Sequence, residues 1–81
     1  MPPEVILYTR KGCHLCDTAK EHLQRARRHA DFDLHEIDID REPRLRSLYN
    51  EEVPVITING KKAFKYHVDE QSFLKRLRDR A

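Results

Sequence analysis

Cysteine is scarce in this chain, with only two thiols, Cys13 and Cys16, among 81 residues. A bridge between residues so close in sequence closes too short a loop to constrain the unfolded chain much, so a purely structural disulfide explains the pair poorly. Redox or metal chemistry is left. Long apolar runs are also missing: none approaches the roughly 18 residues of a membrane span, and Met1-Pro2-Pro3-Glu4 has no basic stretch ahead of an apolar core. A cytoplasmic protein with no membrane contact is expected. Charge of one sign is lacking too, since 16 Lys and Arg face 14 Asp and Glu for a net +2, and this balance predicts no nucleic-acid partner. No repeat, linker or low-complexity segment divides the chain, and its length suits a single domain over residues 1–81, near the lower limit for one hydrophobic core.

What is present begins with the apolar, β-rich run Val5-Ile6-Leu7-Tyr8-Thr9, whose near-continuous hydrophobicity predicts a central strand buried on both faces. Gly12 turns the chain. Beyond it Leu15, Ala19, Leu23, Ala26 and Ala30 recur at steps of three and four, predicting a helix to about residue 30 with Arg25, Arg27 and Arg28 on or beside its polar side. Residues 32–40, carrying Phe32, Leu34, Ile37 and Ile39, predict a second strand parallel to the first, and the three elements make a βαβ unit. Pro43 suits the first turn of a short helix with Leu45, Leu48 and Tyr49 on its inner side. Residues 53–58 and 61–66 flank Asn59-Gly60, a strong signal for a two-residue hairpin turn. Asp69 is a fitting N-cap for a last helix in which Phe73, Leu74 and Leu77 share a face. The predicted order is βαβαββα.

Cys13-His14-Leu15-Cys16 falls at the first strand-to-helix junction of this pattern. Such a CxxC beside a βαβ unit reads as a redox pair. Unpaired backbone N–H groups and the positive end of the helix dipole both favour a thiolate there, and a thiolate is the nucleophile that attacks disulfides. Arg10, Lys11 and His14 would add to the effect if their charges come close.

The order of elements resembles the glutaredoxin branch of the thioredoxin superfamily across nearly the whole chain. The matching residues are Tyr8-Thr9-Arg10-Lys11-Gly12-Cys13-His14-Leu15-Cys16, then Glu36-Ile37-Asp38-Ile39-Asp40, then Val53-Pro54. Closer still is the likeness to small glutaredoxin-like proteins with Cys-His-Leu-Cys in place of Cys-Pro-Tyr-Cys. The resemblance implies an α/β, thioredoxin-like fold, a four-stranded mixed sheet with helices on both faces. It also implies a thiol-disulfide oxidoreductase working as a monomer, with Cys13 as the exposed nucleophile, Cys16 as the resolving thiol and a redox-active disulfide between them. Arg10, Val53 and Pro54 would bind substrate: Arg10 a glutathione carboxylate, and a cis Pro54 by presenting the backbone of Val53 to an extended thiol-bearing peptide or glutathione.

No bound metal or organic cofactor is implied; the electron donor would be glutathione or a thioredoxin-reductase-type protein, and the partner a disulfide-containing protein or a small thiol. Where glutaredoxins carry Gly-Gly after the fourth strand, this chain has Ala63-Phe64-Lys65-Tyr66-His67-Val68-Asp69, whose side chains should obstruct glutathione.

Other patterns point elsewhere. Cys13-x2-Cys16-x12-His29-x5-His35 satisfies the spacing of a C2H2 zinc finger. A finger, however, needs its cysteines on a hairpin and both histidines on one following helix, whereas here the helix starts at the cysteines and His35 lies in the next strand. A non-catalytic metal-binding or protein-interaction module remains the alternative function. His22 and His67 read as packed or solvated, Tyr8 and Tyr66 as core or rim residues, and the Arg25-Ala26-Arg27-Arg28-His29 cluster as a solvated helix face.

Overall fold

A computed structural model describes residues 1–80. Strand β1 (Glu4–Thr9) leads to helix α1 (His14–Ala26), strand β2 (Asp33–Asp38), helix α2 (Pro43–Tyr49), strands β3 (Val55–Ile58) and β4 (Lys61–Lys65), and helix α3 (Glu70–Arg80). The strands form one four-stranded sheet in the order β2-β1-β3-β4. β1 pairs in parallel with β2 and antiparallel with β3, while β3 pairs antiparallel with β4. The sequence-derived order and strand directions are those observed.

Alternation along the strands divides the apolar residues between two faces. On one, Val5, Leu7, Ile56 and Ile58 join Ala19, Leu23 and Ala26 of α1 and Phe73 and Leu77 of α3 in the larger cluster. Phe73, which is fully buried, meets Phe32 edge to face at a centroid distance of 5.1 Å. On the other face a smaller cluster gathers Cys16, Ile39, Tyr49, Val53 and Val55, with Tyr8, Cys13 and Leu45 packed against it. Among the described residues, no helix is long and apolar enough to cross a membrane.

Several local expectations need correction. β1 is central, but only Val5 and Leu7 are buried; Ile6 and Tyr8 stay half-buried, because α1 and α3 cover one face more fully than α2 covers the other. The α-helix α1 stops at Ala26, where the Arg28 and His29 N–H groups bond the carbonyls of Arg25 and Ala26 three residues back and tighten the chain into a turn. Its buried face starts with Cys16 rather than Leu15, which is exposed. β2 ends at Asp38, whose side chain accepts the Asp40 N–H and opens a 3₁₀ turn over Ile39–Arg41. Leu48 points to solvent while Tyr49 takes the inner position.

The hairpin forms as its sequence predicts. Asn59 and Gly60 have φ of 50° and 84°, the left-handed pair that a type I′ turn requires. Asp69 likewise caps α3, accepting the Ser72 N–H at 2.9 Å. That bond holds the Asp69 carboxyl below the usual carboxylate range.

Candidate functional site

Parallel pairing of β1 with β2 and antiparallel pairing of β1 with β3 bring chain ends together at one rim of the sheet. Tyr8 stands opposite Ile37 on one side and Val55 on the other, and Val55 in turn opposite Lys65. The turn to Cys13, the Val53-Pro54 bond and the segment after β4 therefore meet at this rim. Gly12, with φ of 75°, reverses the chain between β1 and α1 in a conformation that favours glycine.

Cys13 is the N-cap of α1 in extended backbone, and its Sγ accepts the backbone N–H of Cys16 at 3.1 Å. Cys13 and Cys16 are joined in a disulfide. The two sulfurs differ in surroundings: Cys13 is half-buried at the rim, whereas Cys16 keeps 1% of its surface exposed and belongs to the smaller apolar cluster. The difference follows from the helix, since Cys16 begins the inward stripe continued by Ala19, Leu23 and Ala26. Lys11 and His14 are exposed beside the pair, and Leu15 exposes 39% of its surface.

The Val53-Pro54 bond is cis. Both residues are buried, and Val53 packs in the same cluster as Cys16, with Cys13 against it. The Pro54 carbonyl accepts the Tyr66 N–H at 2.9 Å.

Arg10 is already engaged. Its Nε and one terminal nitrogen donate to the two carboxylate oxygens of Asp40 at 3.1 and 2.6 Å, and the other terminal nitrogen donates to the Asn50 carbonyl at 3.3 Å. The guanidinium holds the Asp40 carboxyl below its usual range, and Asp40 raises Arg10 further. Sequence reasoning missed Asp40 in this role. Its signal is the parallel register: Thr9 lies opposite Asp38, so residues just past each strand end can meet.

The Tyr8 and Tyr49 rings pack at a tilt of 38° with centroids 4.7 Å apart, and the Lys62 ammonium lies 5.7 Å from the Tyr49 centroid and pairs with Glu52 at 3.0 Å. Burial, then the nearby Tyr49, pushes the Tyr8 phenol up. Tyr66, by contrast, exposes 40% of its surface with φ of 69°.

The spacing that imitates a zinc finger does not converge. Ten residues of helix, about 15 Å, separate Cys16 from the end of α1 at Ala26, and His29 lies beyond that. His29 faces Glu70 at 3.4 Å, and His35 stands on β2 facing Glu4 at 3.9 Å. Arg25, Arg27 and Arg28 are exposed. His22 is half-buried, its Nδ1 without a partner among the described residues.

Known proteins resemble this chain in sequence and fold. Residues 4–78 match the family described as the glutaredoxin-like domain (DUF836). Over 73 residues the chain is 33% identical to an uncharacterized protein of Mycobacterium tuberculosis, covering 84% of this chain and 75% of the relative. The X-ray structure of the X. campestris protein XcR50 is 32% identical and superposes with a TM-score of 0.78, covering 95% of this chain and 97% of that one. Chloroplastic thioredoxin z, at 15% identity, matches with a TM-score of 0.80 over 96% of this chain and 77% of its own, which shows the fold alone. The chain belongs to the glutaredoxin-like domain family and has the thioredoxin fold.

Proposed function

We propose that this protein is a dithiol disulfide oxidoreductase. The observation that carries the reading is the asymmetry of the pair: Cys13 caps α1 and accepts the Cys16 N–H, while Cys16 lies behind it with 1% of its surface exposed. A thiolate at Cys13 gains from that N–H and from the helix N-terminus, so Cys13 is the better nucleophile.

In the reduced protein the Cys13 thiolate attacks one sulfur of a substrate disulfide. A Cys13–substrate disulfide forms, and the other substrate sulfur leaves as a thiolate and takes a proton from solvent. Cys16, after losing its proton, attacks the Cys13 sulfur, forming the Cys13–Cys16 disulfide and expelling the second substrate sulfur. Two electrons pass from the dithiol to the substrate, and an external thiol donor, glutathione or a reductase dithiol, returns them. Val53 supplies a main-chain edge for the substrate segment. Arg10 holds the 3₁₀ turn over Ile39–Arg41 through Asp40, a positioning role in place of direct carboxylate capture.

Cys16→Ser should accumulate a mixed disulfide at Cys13 with a small disulfide reagent, seen by mass spectrometry, and Cys13→Ser should abolish turnover. Normal disulfide reduction by Cys13→Ser refutes the mechanism. Stoichiometric zinc or iron in the reduced protein, with no turnover, favours a metal-binding module instead.

A further inference from the structure

Much of what encloses Cys16 comes from one stretch of chain. Its apolar cluster takes Ile39 from the 3₁₀ turn before α2, Tyr49 from α2 and Val53 from just past the 3₁₀ turn Asn50–Glu52, with Leu45 of α2 packed alongside. A helix of seven residues is too short to hold itself in place. Asn50, its C-cap, has φ of 32° and ψ of −105°, outside the regions that a non-glycine residue prefers, so the turn after the helix needs a hold from elsewhere.

Arg10 supplies that hold. It stands just past the central strand β1, and its one guanidinium reaches both ends of α2: two nitrogens donate to the Asp40 carboxylate before the helix, and the third donates to the Asn50 carbonyl after it. A single exposed ion pair holds little. A fork set against both carboxylate oxygens fixes direction as well as charge, and the Arg10 side chain is only 27% exposed. A cavity of about 540 Å³ borders Cys16 and has Arg10, Arg41 and Glu42 in its wall, so loosening the stapled turns would open the thiol to solvent.

We propose that Arg10 is a positioning residue: by stapling the two ends of α2 it keeps Cys16 closed to external reagents, so that substrate meets Cys13 first. The inference rests on the oxidoreductase reading and names what reserves its second thiol for resolution. Without the staple the Cys16 thiolate would attack an external disulfide itself, forming a Cys16–substrate disulfide and releasing the other substrate sulfur as a thiolate. The order of attack would then be lost.

The test uses the full chain carrying Cys13→Ser, in which Cys16 is the one thiol, and follows its alkylation by iodoacetamide with mass spectrometry. Alkylation joins the sulfur to the acetamide carbon and expels iodide, so its rate reports how freely reagent meets the thiolate. Adding Arg10→Met should raise the rate about tenfold, the effect of losing charge-assisted hydrogen bonds at a partly exposed site. Loss of a nearby cation by itself disfavours a thiolate and slows the reaction, so acceleration reads access rather than charge. Arg10→Lys keeps the charge but cannot span Asp40 and Asn50 together, and its rate should rise nearly as far. Both rates should stay flat up to about 1 M urea, as a local opening requires, whereas alkylation through the unfolded chain climbs about fivefold per molar. An Arg10→Met rate within about twofold of the parent, an Arg10→Lys rate that matches the parent, or the steep climb with urea overturns the inference. The oxidoreductase reading survives each of these, since alkylation involves no turnover; it falls instead if the protein with both cysteines reduces no disulfide.

Discussion

Replacing Phe73 tests whether aromatic geometry, beyond bulk hydrophobicity, holds α3 to the rest of the fold. Phe73 is fully buried, Phe32 is 2% exposed, and their rings meet edge to face at 5.1 Å with an interplanar angle of 62°; the Phe64 ring lies 6.4 Å from that of Phe73. A domain of this size has only about 4–12 kcal/mol of stability in total, and Phe→Ala in a core removes about 3–5 kcal/mol. The alanine variant therefore risks leaving no folded state to measure, whereas Phe73→Leu keeps most of the apolar volume and should cost about 1–2 kcal/mol. Phe32→Leu should cost about as much. The double variant should lose less than the sum, with a coupling of about 0.5–1.5 kcal/mol for the ring pair. Urea unfolding of the reduced proteins reads this directly: with a slope of about 1 kcal/mol per molar urea, each single variant shifts the midpoint by about 1–2 M. Strict additivity refutes the edge-to-face contribution, and a changed slope refutes the two-state treatment.

Two other substitutions probe the rim and the hairpin. Arg10 lowers the Asp40 carboxyl, so the folded state binds fewer protons there than the unfolded chain, and this stability is present above the unfolded value of about 3.9 and lost as pH falls through the lower folded value; Asp40→Asn should flatten the acid limb of stability against pH, and an unchanged slope there counts against the pairing. Gly60 has φ of 84° with open space where a Cβ would stand, so Gly60→Ala should destabilise by about 1 kcal/mol through backbone strain alone, and an unchanged thermal midpoint refutes that.

Features set by local chemistry were readable from the chain. Asn59-Gly60 satisfies two left-handed positions almost unaided, and Asp69 caps α3 because its carboxylate reaches N–H groups a turn ahead. The outer and inner places of Cys13 and Cys16 follow what the family resemblance implies, and the helix supplies the reason: Cys13 caps α1 while Cys16 begins its inward stripe. Features set by tertiary geometry were not readable. Arg10 is thirty residues from Asp40, and only the register of β1 against β2 brings them together. Leu48 and Tyr49 are adjacent apolar residues, so periodicity could not choose which faces inward. The left-handed backbone of Tyr66 has no sequence signature, because the residue type argues against the conformation that its bond to Pro54 holds.

The two apolar clusters on opposite faces of the sheet also bear on how such a protein can change. The larger cluster, built by α1, α3 and the inner sides of β1 and β3, contains neither cysteine, whereas Cys16 lies in the smaller one with Ile39, Tyr49, Val53 and Val55. Robustness and chemistry thus reside in separate sets of side chains. On the oxidoreductase reading, substitutions around Cys16 would retune the reactivity of the pair while the larger cluster keeps the chain folded, so one scaffold could diverge in redox behaviour without first acquiring a more stable fold.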